Sequence, residues 1–226
     1  MSVHNKPEWV FTGGRNMQLQ RFYCRACSKS FQKDFIYKAN LPGTHERIIE
    51  MAMNGSGVRD TGRVLGVSPT TVNQPLKKLS PKQVTDLPFE NAKVQLLCQM
   101  DEQWSFVGSK KNQRWLFYAW EPRFKRVIAH AFGRRVASTL KKLLQLLKPY
   151  SFSYFCTDDW KPYKRYLPEG IHVASKRFTQ GIERNNLTLR IRLKRLARRT
   201  ICFSRSEELH DKVIGEFISR NYYQRI

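Results

Sequence analysis

Between Leu41 and Pro88, apolar residues recur at helical spacing. Ile48, Ile49, Met51, Ala52 and Met53 follow Thr44, a residue type that caps helix N-termini. Asn54-Gly55-Ser56-Gly57 ends that helix, and a second short helix is predicted over about residues 58–65. Gly66-Val67-Ser68-Pro69 then supplies a turn: Gly tolerates the left-handed region, Ser caps, and Pro fits the first position of a new helix. The pattern predicts a helix-turn-helix whose last helix enters the DNA major groove, with Thr70, Thr71, Asn73 and Gln74 as candidate contacts. An ordinary pair of core helices would show the same periodicity. Pro75 predicts that this last helix kinks or ends after about two turns.

Further along, the period becomes that of strands. Residues 94–100 (VQLLCQM), 114–120 (RWLFYAW) and 127–132 (VIAHAF) are apolar runs of strand length. Residues 134–147 return to helical spacing through Val136, Leu140, Leu143, Leu144 and Leu147. Another strand is expected over Phe152–Thr157 and a short one over 172–174. A long basic helix should cover 177–199 and a final helix 206–222. This order predicts an α/β layered domain with its strands grouped early. Residues 79–88 (LSPKQVTDLP) carry two prolines and read as a linker.

Composition narrows the class of partner. With 41% hydrophobic and 12% aromatic residues, the chain is not wholly disordered. The 41 Lys and Arg outnumber 18 Asp and Glu, a formal charge of +23, which implies a polyanionic partner. Nucleic acid comes first and an acidic membrane surface second; a solvated basic surface without a partner is the third reading. No apolar run approaches the roughly 18 residues of a membrane span. Residues 1–7 lack the apolar stretch of a secretory signal. Five cysteines, an odd number, fit a reduced cytoplasmic compartment better than a disulfide framework.

Candidate chemistry sits at two places. Cys24-Arg25-Ala26-Cys27 is half of a zinc motif, and no second pair follows at the usual spacing; a zinc site and a pair of unliganded thiols both stay open. Asp101 and Asp158 each follow an apolar strand, where ligands collect in α/β sheets. Two carboxylates brought together repel unless a cation lies between them, and Mg²⁺ prefers oxygen ligands. Glu183 is the one acid within residues 176–199, a stretch with nine Lys or Arg. It either neutralises a neighbour or joins the two aspartates at a metal while the cations grip phosphate. Trp104, Trp115 and Trp160 read as core or site-wall aromatics, and Cys98 and Cys156 as buried strand residues. His172 and His210 lack the spacing of a known triad.

Several blocks in order resemble the transposases of the insertion sequence 1 family. They are Met100-Asp101-Glu102-Gln103-Trp104, Arg114-Trp115-Leu116-Phe117-Tyr118-Ala119, Thr157-Asp158, Ser175-Lys176-Arg177, Ile182-Glu183-Arg184-Asn185-Asn186-Leu187 and residues 208–215. Pro42-Gly43-Thr44-His45 and residues 51–55 belong to the same likeness, which covers nearly all of the chain from about Gln20 onward. The resemblance implies a DDE-type transposase with a ribonuclease H-like catalytic domain. In it, Asp101, Asp158 and Glu183 would be the catalytic, metal-binding triad, holding Mg²⁺ or Mn²⁺. The 24 residues between Asp158 and Glu183 match the family's gap. Arg190, seven residues past Glu183, falls where such enzymes set a basic residue against DNA, and Lys176, Arg177 and Arg184 join it as DNA-binding candidates.

The resemblance further implies a zinc finger and helix-turn-helix that bind the element's terminal inverted repeats. The expected domains are a partial zinc-finger-like segment over 1–40, the helix-turn-helix over 41–80, a linker over 81–92 and the catalytic domain over 93–226. The partners implied are double-stranded DNA, as element ends and as target, and further copies of the chain, at least a dimer, in a bacterial, nucleoid-associated setting. Two departures stand out: the family carries two Cys-x-x-Cys pairs against one here, and Asp159 replaces the family's usual glycine. A truncated start or a degenerate finger would explain the first. Two rival readings share these residues, a DNA-binding repressor or regulator that has lost catalysis and a metal-dependent nuclease without strand transfer.

Overall fold

The computed structural model of the chain describes residues 22–31, 37–86 and 96–223. A small antiparallel hairpin comes first, β1 (Phe22–Cys24) and β2 (Lys29–Phe31), with Cys24 paired to Lys29 and Cys27 in the turn. Three helices follow: α1 (Thr44–Met53), α2 (Val58–Leu65) and α3 (Pro69–Lys78). The expected turn chemistry is present. Gly66 sits at φ 64°, and the Ser68 hydroxyl accepts from the Thr71 amide at 3.1 Å.

Two local expectations need correction. Thr44 is not the N-cap of α1; Gly43, at φ 77°, holds that place, and the Thr44 hydroxyl donates to the Lys38 carbonyl at 3.0 Å. Pro75 does not break α3, which runs on to Lys78. A proline removes one backbone donor, and the burial of its ring, on the helix side that also buries Val72 and Leu76, offsets the loss.

The sheet contains β3 (Leu96–Val107), β4 (Ser109–Glu121), β5 (Arg126–Gly133), β6 (Phe152–Thr157) and β7 (His172–Ala174). Its order is β5-β4-β3-β6-β7. The first three strands form an antiparallel meander, and β6 and β7 add in parallel beside β3. Helices α4 (Ala137–Leu147) and α5 (Lys161–Tyr166) flank β6 in sequence; α6 (Gln180–Arg192) and α7 (Glu207–Ile218) close the chain. Here β3 is longer than the apolar pattern suggested. Asp101 therefore lies in mid-strand rather than at a strand end, because Gln103 and Ser105, although polar, are buried with partners.

Strand alternation divides the core in two. Leu116, Tyr118 and Trp120 of β4 face a cluster with Ile48, Val72, Leu189 and Ile214, so the helix-turn-helix shares its core with α6 and α7. Phe117 and Ala119 face the other side, with Leu96, Leu140 and Tyr163. The expected linker is not free over its described part. Thr85 donates to the Ile128 carbonyl, and Gln83 accepts from the His130 amide, each at 2.9 Å, along the edge of β5. The long basic helix is also divided: Leu193 turns extended, and a short 3-10 turn over Lys194–Leu196 buries Leu196. That turn brings Arg195 to the end of α1, where it donates to the Ala52 carbonyl at 3.2 and 3.3 Å. Among the described residues no helix is long and apolar enough to cross a membrane.

Candidate active site

Polar residues on alternate positions of β3 build the site. Gln99, Asp101, Gln103 and Ser105 point to the face that α6 and α7 cover. The Gln99 side chain clamps the start of α6, donating to the Phe178 carbonyl at 2.6 Å and accepting from the Ile182 amide at 2.8 Å. Gln103 donates to the Asn186 carbonyl at 3.3 Å, and Ser105 meets the buried His210 ring at 2.9 Å. Gly181 belongs to this clamp, since a Cβ there would stand 2.7 Å from the Gln99 Oε1.

Asp101 is held only by neutral donors among the described residues. Its Oδ1 accepts from the Glu102 amide at 2.8 Å, and its Oδ2 from the Asn186 Nδ2 at 2.6 Å. The amide of Asn186 is oriented in turn: the Tyr118 hydroxyl donates to its Oδ1 at 2.9 Å. Asn185 and Tyr222 extend the network, with Asn185 donating to the Tyr118 oxygen and Tyr222 to the Asn185 Oδ1. Burial, and then the charges of Glu102 and Asp158, push the Asp101 pKa up to about 6; the two hydrogen bonds oppose the shift.

Asp158 stands beside it. The parallel register pairs Gln99 with Cys156, so two residues on Asp101 comes abreast of Asp158. The Asp158 Oδ1 accepts from the Trp160 amide at 3.0 Å, and Arg135 lies 3.7 Å from its Oδ2. Asp159, the departure from the family pattern, faces away and pairs with Lys164 at 2.6 Å in the solvent. Glu183 is exposed on α6, one turn before Asn186, and accepts from Thr179 at 3.3 Å. The fold thus sets Asp101 and Asp158 side by side, with Glu183 on α6, the helix whose Asn186 bonds Asp101. Among the described residues no group of three or more His, Cys, Asp or Glu side chains is close enough to hold a metal ion.

Glu102, next to Asp101, leaves the opposite face of the sheet. Its carboxylate is buried, accepts from Tyr163 at 2.8 Å and pairs with Arg135 at 2.6 Å. The Arg135 guanidinium lies 5.3 Å from the Trp115 ring and 5.1 Å from the Trp160 ring, so both tryptophans wall a cation. Sequence reading missed Asn186, Tyr118, Glu102 and Arg135. A signal was present for the first two: the period-2 run Gln99, Asp101, Gln103, Ser105 announces a buried polar face that needs donors from a covering helix.

The DNA-binding candidates scatter. Lys176, Arg177 and Arg184 are exposed. Arg190 is half-buried with its Nε unpartnered among the described residues, and burial followed by the Arg198 charge lowers its pKa. On α3, Thr70 and Gln74 are exposed and Asn73 is partly so. Thr71 is buried, with its hydroxyl 2.9 Å from that of Ser68, so it reinforces the cap. Cys24 is partly buried and Cys27 exposed. The described residues offer these two no third ligand, and His4 with the rest of the expected zinc-finger segment before residue 22 lies outside them, so a zinc site is not supported.

A profile of the family described as IS1 transposase matches residues 95–224. The chain belongs to the IS1 transposase family. A second profile, the InsA C-terminal domain, matches residues 35–79, which contain α1–α3. This IS1-family chain is 54% identical over 128 residues to the insertion element iso-IS1n protein InsB of Shigella dysenteriae, covering 57% of this chain and 98% of that one. It is 48% identical over 149 residues to the IS1 9 protein InsB of Escherichia coli K12, covering 66% and 89%. The IS1 protein InsB of Haemophilus ducreyi matches at the same identity and coverage. A cryo-EM structure of a simian T-cell lymphotropic virus intasome with a PP2A regulatory subunit aligns over 64% of this chain and 59% of its own, at 15% identity and a TM-score of 0.32, too low to carry any argument. The IS1-family chain is therefore a DDE-type transposase with a DNA-binding helix-turn-helix, and such enzymes generally use a divalent metal.

Proposed function

We propose that this transposase binds the terminal inverted repeats of its element, nicks the 3′ ends and joins them to target DNA. Asp101, Asp158 and Glu183 are assigned as the metal-holding carboxylates. The observation that carries this reading is the state of Asp101: a carboxylate drawn out of water, beside Asp158, with amide partners and no ion pair among the described residues. A hard divalent ion suits such a pair of carboxylates. The strand order, with an antiparallel meander and two added parallel strands, supports a ribonuclease H-like domain.

When bound, Mg²⁺ or Mn²⁺ supplies Lewis acidity, lowering the pKa of an attacking water or 3′-hydroxyl and neutralising the leaving oxygen. The chain's own residues do the rest by positioning. Asn186 holds the Asp101 carboxylate as an acceptor. Asp158 and Glu183 are accessible enough to turn toward it. Lys176, Arg177 and Arg184 hold phosphates near the cut, and Arg190 is a further cation beside Asp101. In the first step a P–O bond to the flanking DNA breaks as water adds. In the second, the freed 3′-hydroxyl replaces a target-strand oxygen at phosphorus. Thr70, Asn73 and Gln74 read the repeat from α3. At least two copies act together, because two ends are joined, and the site of action is the cytoplasmic nucleoid.

The test is nicking and joining of duplexes copied from the DNA flanking the coding sequence, with Mg²⁺ or Mn²⁺. Glu183→Gln should lower both by about a thousandfold while end binding stays within about threefold. Tight binding with no cleavage by the intact chain would sink this reading in favour of a DNA-binding regulator.

A further inference from the structure

The face of α6 that carries Glu183 continues in apolar residues. Leu187 and Ile191 follow at four-residue steps, so all three lie along one line of the helix surface. Leu187 is 57% exposed and Ile191 60%. The apolar side of α6 that builds the core is a different one, with Ile182 and Leu189 fully buried. Exposed Arg184 and Arg192 lie along one side of the line, and half-exposed Phe178 stands just before the helix.

An exposed apolar strip beside a reaction centre asks for an occupant. A second copy of this face would set Arg184 and Arg192 against their own images, in a chain already at +23. DNA fits the charge. Yet apolar side chains gain nothing from phosphate; what they match in DNA is a base or sugar face, which is exposed where the helix is unstacked.

We propose that Leu187 and Ile191 form a wedge that packs against unpaired bases at the DNA end, next to the scissile phosphate, while Arg184 and Arg192 hold the backbone alongside it. This rests on the transposase reading and names the form of DNA that the site takes. Opening the terminal pairs would free the strand to bend toward Asp101 and Asp158, and the wedge would stabilise the opened form.

The test compares two duplexes of equal length at fixed salt, one fully paired and one with its last three base pairs mismatched. The intact chain should bind the mismatched end about tenfold more tightly, since the cost of unstacking is already met. Leu187→Ser with Ile191→Ser should bring that ratio to about one, while affinity for the paired duplex stays within about threefold because the cations remain. Both residues are exposed, and an unchanged melting temperature would confirm that the variant folds. A ratio of one for the intact chain, an unchanged ratio in the variant, or a change in oligomeric state on substitution would each overturn the wedge, the last in favour of a second copy on this face. A persistent preference for mismatched ends together with no nicking by the intact chain would keep the wedge and reject the transposase reading.

Discussion

Asp101 and Glu102 are neighbours on β3, yet their side chains leave opposite faces of the sheet into different chemistry. Glu102 meets Arg135 and Tyr163, so its charge is matched inside the protein. Asp101 meets an asparagine side chain and a backbone amide, so its lone pairs are engaged while its charge forms no ion pair among the described residues, Arg190 acting on it only at longer range. Burial raises the pKa of both, and Glu102 has the Arg135 charge to oppose it. A matched buried carboxylate serves the fold. One with no ion pair, set beside a second acid, is open to a cation from outside.

The sharpest way to break this contrast is to neutralise each acid alone. Asp101→Asn should cut end nicking by about a thousandfold and leave DNA affinity within about threefold. Glu102→Gln should instead act through stability, costing about 2 kcal/mol in urea unfolding because it removes the 2.6 Å charge partner of Arg135 and leaves only Asp158 at 3.7 Å, with solvent relieving part of the cost. Equal loss of activity in both, with no change in stability for either, would mean that Glu102 belongs to the reaction.

A smaller effect tests the neutral network. Tyr118→Phe keeps the buried ring and removes only the hydroxyl that orients Asn186. Nicking at saturating DNA should fall by about tenfold, and the Mg²⁺ concentration for half activity should rise. An unchanged metal requirement would reduce Tyr118 to packing.

The same distinction between matched and unmatched groups shapes the acid response. Burial lowers the pKa of His130 and His210 to about 3, so both rings fold uncharged. The unfolded chain takes up these protons near pH 6.5. Their contribution to stability is therefore complete above about pH 6.5 and is lost as the pH falls toward 3, at up to about 1.4 kcal/mol per pH unit for each ring. Urea midpoints at pH 7 and pH 5 should show a shallower dependence in His130→Gln than in the intact chain. The smallest prediction concerns α3. Thr71→Val should cost about 1 kcal/mol of stability with repeat selectivity kept, whereas Gln74→Ala should relax selectivity at one base pair with stability unchanged.

Much of the fold was legible from period alone. Ile48, Ile49 and Ala52 announced α1, the Gly66-to-Pro69 turn was read with its chemistry, and β6 and β7 have the bounds their apolar runs suggested. Errors arose where tertiary partners override a local rule. The strand expected to end near Met100 runs on to Val107, and Ser105 is buried in it because the Arg114 carbonyl and His210 complete its hydrogen bonds. Pro75 predicted a kink or an early end, and α3 instead runs on past it with Pro75 buried. Thr71 looked like a reader of bases and is buried against the Ser68 cap. Arg195, counted among the helical cations, is tied to α1 and Ser204.

What the sequence determined by itself was the charge, the order of elements, and the acidic residues set among apolar and basic neighbours. Each is a property of composition or of spacing along the chain, and spacing is enough to fix which side of one helix or strand a residue occupies. The tertiary structure decided which of two adjacent acids finds a cation, which threonine is covered, and that Asp101 and Asp158 come abreast. Those depend on what another element, tens of residues away, lays against each side chain. Burial and hydrogen-bond satisfaction are settled across the sheet, where spacing along the chain carries no information.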